Sequence, residues 1–221
     1  VDDEHVPYSV LEEYLHEYGR QWDIRNESGN KKKGDAFEVL SIYYLRNHPY
    51  WSKRFSQVVP FEKFSKRWQD NDLGTDVIAV TTGGDVWAIQ CKCYAPHNKV
   101  NKVEVDSFIA DSSRSIVKKR LLMMTTDNLG PNAKKALVGL EPDCQIVGRS
   151  KFLADEKQII RGFKWPTNIV VRGKAIDLSL FDPSSRPVFE DEQEWDCFDG
   201  EWSTPRKIKK PKTLQEQIAS G

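Results

Sequence analysis

The feature that most constrains the fold is a pair of apolar segments in the middle of the chain, residues 76–81 and 85–93. Each has the length and the β-branched or aromatic content of a buried strand. Only residues 82–84 separate them, and Gly84 stands where a three-residue hairpin loop commonly requires a glycine with positive φ. The sequence therefore predicts an antiparallel β-hairpin at this point.

The predicted hairpin brings polar residues together on one face of the sheet. Closing the loop with Thr81 opposite Asp85 places Asp76 opposite Gln90, because paired residues advance in opposite directions along antiparallel strands. Side chains alternate between the two faces of a sheet, so Asp76, Gln90 and Lys92 share one face. Both faces are otherwise largely apolar, which indicates a sheet covered by helices on both sides.

Most of the remaining chain up to residue 155 alternates between helical and strand periodicity. Ser9 is the expected N-cap of the first helix, and Lys31, Lys32 and Lys33 are expected to precede the second. The order of elements predicts an α/β domain with a central mixed sheet flanked by helices. We expect helices at residues 9–18, 34–47, 102–114 and 132–140, and further strands at residues 55–61, 119–125 and 144–147.

Composition divides the chain into a folded domain and an extension. Residues 1–155 carry the regular pattern, whereas residues 156–221 are irregular and rich in proline, tryptophan and charge. We therefore predict one α/β domain followed by a linker, with one small strand pair at about residues 168–180.

Composition also excludes several classes of protein. No segment approaches the roughly 20 apolar residues of a membrane span. Four cysteines in 221 residues do not suggest a disulfide framework, so a cytoplasmic location is expected. A net charge of zero argues against a protein that coats DNA. Basic runs at residues 31–33 and 206–212 nevertheless leave local surfaces that could contact phosphate.

The polar residues of the hairpin suit the chemistry of phosphodiester hydrolysis. This reaction needs a hard cation such as Mg²⁺ to polarise the phosphate and to activate water. Asp76, the side-chain oxygen of Gln90 and the backbone carbonyl of Cys91 are candidate metal ligands. Lys92 would hold the attacking water or offset charge in the transition state. Glu38 on the second helix would complete the metal shell or relay a proton.

Each of these residues also has an ordinary structural explanation. An aspartate before a strand is usually a turn residue, a glutamine or lysine in a strand usually faces solvent, and most helix carboxylates, Glu38 among them, are solvated. Against this explanation, Gln90 and Lys92 lie within an apolar strand, where an unpaired polar group is costly. Their predicted convergence with Asp76 favours a functional site.

Two other candidate sites are weaker. Cys91 and Cys93 share one strand face with apolar residues, and Cys144 and Cys197 lack a paired spacing, so small core residues are a better interpretation than a zinc site. His97 could touch DNA, but its position after Pro96 is more typical of an ordinary loop residue.

Three short motifs carry a family resemblance. Lys33-Gly-Asp-Ala-Phe-Glu38, Gly74-Thr-Asp76-Val-Ile and Ala88-Ile-Gln90-Cys-Lys92 together resemble the Mrr-like branch of the PD-(D/E)xK nucleases. In that branch Gln-x-Lys replaces the usual acidic-x-Lys, and a helix glutamate adds a carboxylate. The resemblance implies a restriction-endonuclease-like core for residues 1–155 and a catalytic Mg²⁺, with Mn²⁺ as an alternative.

Residues 121–136 are also similar to the region after the core in the N-terminal nuclease domains of Type I single-polypeptide (Type ISP) restriction–modification enzymes. In those enzymes the nuclease precedes a helicase-like ATPase, a methyltransferase and a target-recognition domain. The similarity implies that such domains of the same longer polypeptide are partners, with residues 156–221 leading towards the helicase-like domain. The 221 residues themselves contain no Walker A loop.

The predicted function is Mg²⁺-dependent hydrolysis of double-stranded DNA by the cleavage module of a larger restriction enzyme. One such site cuts one strand, so a double-strand break would require two nuclease copies to pair, or two successive nicks. Two alternatives stay open: a DNA repair or junction-resolving nuclease, and a catalytically silent module that binds or docks on DNA.

Overall fold

A computed structural model describes residues 6–24, 29–68, 74–157, 163–171, 174–177, 197–198 and 201–202. The helices are α1 (Tyr8–Ile24), α2 (Gly29–Asn47), α3 (Pro49–Ser52), α4 (Lys102–Asp111), α5 (Pro131–Leu137) and α6 (Arg149–Lys157). The strands are β1 (Phe55–Pro60), β2 (Val77–Thr81), β3 (Val86–Lys92), β4 (Val117–Met124), β5 (Cys144–Val147), β6 (Asn168–Val171), β7 (Lys174–Asp177), β8 (Cys197–Phe198) and β9 (Glu201–Trp202).

The first five strands form one mixed sheet in the order β1-β2-β3-β4-β5. The pairs β1–β2 and β2–β3 are antiparallel, whereas β3–β4 and β4–β5 are parallel. Each parallel pair is joined through a helix, α4 before β4 and α5 before β5. The sequence-based prediction of a mixed sheet flanked by helices is confirmed.

The register of the central hairpin is the predicted one. Val77 pairs with Ile89 and Val80 with Val86. The backbone N–H of Asp76 donates to the carbonyl of Ile89 at 2.9 Å, so the pairing continues to the residue that was predicted to face Gln90. At the other end Gly84 adopts a φ of 90°, which is the positive value that the short loop requires.

Helices cover both faces of the sheet. On one face α1, α2, α3 and α6 pack on alternate residues of β2 and β3, and the ring of Phe152 from α6 is fully buried there. On the other face α4 and α5 pack on β4, with Phe108 of α4 fully buried against Ala88 and Val117. The sheet is therefore the middle layer of three, as two apolar faces require.

Helix α6 was not predicted from the sequence, and long-range polar contacts hold it in place. Arg149 at its start forms a two-bonded ion pair with Glu12 of α1, with N–O distances of 2.7 and 2.8 Å. Asp127 accepts hydrogen bonds from the backbone N–H and the hydroxyl of Ser150 at 3.0 and 2.9 Å. Further along, Asp155 is buried and accepts from Tyr44 of α2 at 2.6 Å.

Two predictions about helix starts were wrong. Ser9 lies inside α1 rather than capping it, and the carbonyl of Pro7 accepts from the N–H groups of the first turn. Helix α2 begins at Gly29 instead of residue 34, so the lysine run 31–33 lies within the helix. Helices α1 and α2 pack closely at the start of α2, since a Cβ on Gly19 of α1 would stand 3.1 Å from the carbonyl oxygen of Gly29. Such tertiary packing favours the longer helix even though Gly34 inside α2 is a weak helix former.

The sheet domain and the chain that follows it share a core. Trp165 and Ile169 are 5% and 4% exposed and belong to the apolar cluster under α1 and α2. The small strand pair expected in this region is confirmed as β6 and β7. The division of the chain at residue 155 stays a prediction. Among the described residues no helix is long and apolar enough to cross a membrane.

We predict that Gly74→Ala destabilises the fold by about 1–3 kcal/mol. Gly74 has a φ of 154°, and a Cβ there would stand 3.2–3.3 Å from backbone atoms of Ser107 and Phe108. Gly34→Ala is the matched control, since no atom lies within 4 Å of its Cβ and alanine gains about 1 kcal/mol over glycine in a helix. Urea denaturation measures both, and an unchanged midpoint in Gly74→Ala would contradict the close approach.

Candidate active site

The end of the hairpin places the predicted residues at one end of the sheet. Asp76 immediately precedes β2, and Lys92 is the last residue of β3. Gln90 pairs with Leu122 and Lys92 with Met124 on the parallel strand β4. This end is the carboxyl end of the parallel strands, the edge at which open α/β sheets commonly bind ligands.

The carboxylate of Asp76 is fixed by the neighbouring strand. The backbone N–H of Cys91 donates to Asp76 Oδ2 at 2.5 Å. The approach of this segment depends on Gly74, whose missing side chain allows contact with the backbone of α4. Packing therefore explains the glycine two residues before Asp76. Because Gly74 has no side chain, the chain can pass close to α4 just before β2 begins.

Gln90 carries an unusual buried oxygen. The residue is 4% exposed, and its Oε1 has no hydrogen-bond partner among the described residues. Thr75, next to Asp76, likewise has a buried hydroxyl oxygen without a partner in the described part of the chain. An unpaired buried amide or hydroxyl costs free energy of folding, on the order of 1–3 kcal/mol, so such atoms commonly mark a site that a ligand or water completes.

The pKa of the Cys91 thiol shows which charged groups act at this end of the sheet. Burial raises its pKa well above the usual value, and the carboxylates of Asp76 and Glu38 raise it further. The nearby Ser41 hydroxyl and the positive charge of Lys92 act in the opposite direction. Both carboxylates and the ammonium group therefore lie within electrostatic reach of one buried atom.

These residues come from different layers of the fold. Asp76, Gln90 and Lys92 belong to the hairpin, whereas Glu38 belongs to α2, which packs on the opposite face of the sheet. The link between Glu38 and the hairpin is its electrostatic effect on the Cys91 thiol. The strand register places Asp76, Gln90 and Lys92 together, whereas the place of Glu38 in the site and the roles of all four residues stay predictions.

The donors at this end of the sheet fit a hard cation. Two carboxylates, the unpaired Gln90 oxygen and the nearby backbone carbonyl of Cys91 are the oxygen donors that Mg²⁺ prefers. Within the described ranges no group of three or more histidine, cysteine, aspartate or glutamate residues is arranged to hold a metal ion. A site here therefore depends on the amide and carbonyl oxygens as well as on the acids.

The cysteines behave as core residues. Cys91 and Cys93 both pack in the apolar cluster beneath α1 and α2, and neither is in a disulfide. Burial raises the pKa of Cys93 to about 12 and that of Cys144 to about 12. Neutral thiols in apolar surroundings are poor zinc ligands.

The residues that hold the loop after β3 were not predicted from the sequence. The hydroxyl of Thr125 accepts from the backbone N–H of Tyr94 at 2.7 Å and donates to its carbonyl at 2.6 Å. The hydroxyl of Thr126 lies 2.9 Å from the carbonyl oxygen of Pro96. The available signal was a pair of fully buried threonines at the end of an apolar strand, next to Lys92 in the sheet.

Comparison with known proteins assigns the chain to a family. The sequence profile of the restriction endonuclease family Mrr_cat_2 matches residues 46–157. The chain belongs to this restriction endonuclease family. The match includes the whole hairpin with Asp76, Gln90 and Lys92, and it begins after Glu38. The resemblance to Mrr-like nucleases expected from the motifs is confirmed.

Several solved structures are similar to this restriction endonuclease domain. An ATP-dependent Type ISP restriction–modification enzyme, LlaBIII bound to DNA, is 23% identical with a TM-score of 0.47, covering 86% of this chain and 10% of that one. The DNA modification-dependent restriction endonuclease AspBHI is 16% identical with a TM-score of 0.43, covering 68% and 36%. The MspJI restriction endonuclease in complex with a 27-mer oligonucleotide is 17% identical with a TM-score of 0.42, covering 67% and 31%.

The domain thus spans about a tenth of LlaBIII and about a third of the other two proteins. A search of curated proteins by sequence gave no match.

We predict that Cys91 resists alkylation in the folded chain. The thiol is buried and its pKa is raised, so the reactive thiolate is scarce at about pH 8. Iodoacetamide labelling with peptide mapping measures each cysteine separately, and unfolding in urea should expose Cys91 to the reagent. Rapid labelling of Cys91 in the native chain would contradict a core role and would reopen the interpretation as a metal ligand.

Proposed function

We propose that this chain is a metal-dependent endonuclease domain that hydrolyses phosphodiester bonds of double-stranded DNA at Asp76, Gln90 and Lys92. The observation that carries the proposal is the buried, unpaired oxygen of Gln90 at the same sheet end as the carboxylate of Asp76 and the ammonium group of Lys92. Membership of a restriction endonuclease family supports the reaction class.

The proposed metal is Mg²⁺, for which Mn²⁺ could substitute. Asp76, Gln90, the backbone carbonyl of Cys91 and Glu38 would hold it. When bound, the ion would polarise the scissile phosphate and lower the pKa of a bound water. An ion would also offset the charge of the two carboxylates that act on the Cys91 thiol.

The residues of the chain have separate proposed tasks. The carboxylate of Asp76 is held in one orientation by the Cys91 N–H, so it would need little reorganisation to bind a ligand. Lys92, half-buried at the end of β3, would orient the attacking water and offset the negative charge that develops on the phosphate. Glu38 would accept a proton or complete the ligand set from the α2 side.

The proposed setting is a larger restriction enzyme in the cytoplasm. Cys91, Cys93 and Cys144 are free thiols, as is usual in a reducing compartment. By resemblance to Type ISP enzymes, helicase-like, methyltransferase and target-recognition domains of the same polypeptide would select the DNA. Two copies of the nuclease domain would pair, or act in succession, to break both strands.

Nicking of supercoiled plasmid by the 221-residue chain tests the site. We expect Mg²⁺ or Mn²⁺ to support nicking and EDTA to abolish it, and Asp76→Ala and Lys92→Ala to lower the rate on the order of 100-fold or more. Matched controls are Asp85→Asn, exposed at the loop end of the same hairpin, and Lys118→Gln, exposed at the start of β4. Metal-dependent nicking that survives in both alanine variants would refute the assignment.

Thermal unfolding tests metal binding without cleavage. A divalent ion that binds only the folded chain stabilises it, by about 2.7 kcal/mol at 100 times its dissociation constant. We expect Mn²⁺ to raise the melting temperature of the wild-type chain and to have little effect on Asp76→Asn, which keeps the shape of the side chain but loses its charge. Equal shifts in both proteins would place the ion elsewhere.

A further inference from the structure

A residue that follows β4 holds the end of β3. The two strands end side by side, β3 at Lys92 and β4 at Met124, and these two residues are partners in the parallel pairing. One more backbone hydrogen bond follows, from the N–H of Thr125 to the carbonyl of Lys92 at 3.1 Å. Beyond this bond the side chain of Thr125 continues the contact between the two segments.

The Thr125 hydroxyl takes the place of the next bond in the sheet. In a continued parallel pairing the N–H of Tyr94 would donate to the backbone carbonyl of Thr125. It donates instead to Thr125 Oγ1 at 2.7 Å, and this hydroxyl donates to the carbonyl of Tyr94 at 2.6 Å. Thr125 is therefore bonded to the backbone on both sides of Cys93, and we call its contacts with Lys92 and Tyr94 the threonine clamp.

The threonine clamp lies in a closed part of the fold. Thr125 is fully buried, so its hydroxyl has few other partners to which it could turn. The ring of Tyr94 packs beside α4, and its hydroxyl donates to the carboxylate of Glu104. Glu104 is itself fixed, because it accepts from the N–H of Asn101 at 2.9 Å in the capping box of α4. The chain that leaves β3 is thus tied to two elements.

The direction of the Lys92 side chain depends on this part of the backbone. Lys92 is the last residue of β3 and is half-buried. In the described part of the chain no ion pair ties its ammonium group. A side chain at a strand end points where the backbone of its strand directs it. Loosening the backbone after Lys92 would therefore let the ammonium group move relative to Asp76 and Gln90.

We propose that Thr125 is a positioning residue for DNA cleavage, which acts by holding Lys92 in the direction needed to orient the attacking water. The inference rests on the proposed function, because it assumes that Lys92 acts at the scissile phosphate. Thr125 touches neither metal nor DNA in this role and acts only through the backbone of residues 92–94. A displacement of about 1 Å that starts far from the chemistry can cost on the order of 100-fold in rate.

Single-turnover nicking of supercoiled plasmid, with the chain in excess and Mg²⁺ present, tests the proposal. Thr125→Val keeps the shape of the side chain but loses both hydroxyl bonds, so we expect the maximal rate to fall about 10- to 100-fold. The chain concentration that gives half of this rate should change by less than about twofold, because no DNA contact is lost. Thr125→Ser keeps the hydroxyl and should recover most of the wild-type rate.

The adjacent Thr126 supplies a matched control. It is also fully buried, and its hydroxyl lies 2.9 Å from the carbonyl oxygen of Pro96 and 3.0 Å from that of Asn98, farther along the same loop. Thr126→Val removes the same chemical group without touching the backbone of residues 92–94, so it should keep most of the wild-type rate. Equal losses in Thr125→Val and Thr126→Val would mean that both hydroxyls only order the loop, and the proposal would be wrong.

A double-mutant cycle with Lys92 separates positioning from support of the whole fold. If Thr125 acts through Lys92, Thr125→Val should have little further effect in the Lys92→Ala chain, because the group that it positions is already absent. The same factor of loss in both backgrounds would mean that Thr125 acts on the fold as a whole, which would also overturn the proposal.

The outcomes distinguish this inference from the proposed function. A wild-type rate in Thr125→Val, together with loss of nicking in Lys92→Ala, would remove the role of Thr125 and leave the proposed site intact. Absence of metal-dependent nicking by the wild-type chain would overturn both. If Thr125→Val does not fold, Thr125→Ala makes the same comparison, since it removes the hydroxyl without placing a methyl group against the Tyr94 backbone.

Discussion

The antiparallel pairing of β2 with β3 is the constraint on which the rest of the site depends. Apolar residues cover both faces of these strands, and helices pack on each face. A slip of one residue along β3 would turn Gln90 and Lys92 into the apolar layer beneath α2 and would move Ile89 to the opposite face of the sheet. Core packing therefore fixes the register, and the register fixes which polar groups meet Asp76.

The same end of the sheet also holds buried polar atoms without a hydrogen-bond partner in the described structure. Asp76 and Glu38 both act unfavourably on ionisation of a fully buried thiol, and Gln90 keeps an unpaired oxygen in the described structure. Some buried polar groups elsewhere are paired, as in the hydrogen bond of Tyr44 with Asp155, whereas others, such as the indole nitrogen of Trp51, have no partner in the described structure. A buried amide oxygen without a partner lowers stability, and such a cost is common where a protein binds a ligand.

The parts that could be predicted are those with local signals. Alternating apolar residues and a loop glycine define the hairpin, and its register follows from the loop length alone. The parts that could not be predicted depend on contacts between distant segments. Helix α6 is mostly charged and is fixed by Glu12 and Asp127, more than 20 residues away in each case.

The division of the candidate site between two elements has a consequence for how substitutions act on it. The hairpin contributes Asp76, Gln90 and Lys92 from one supersecondary element, so one local strand pairing sets their relative positions. Glu38 comes from a separate helix that merely passes the same sheet end, and it lies before the segment that the family profile matches. A change in the packing of α2 on the sheet would therefore move Glu38 without changing the spacing of the three hairpin residues.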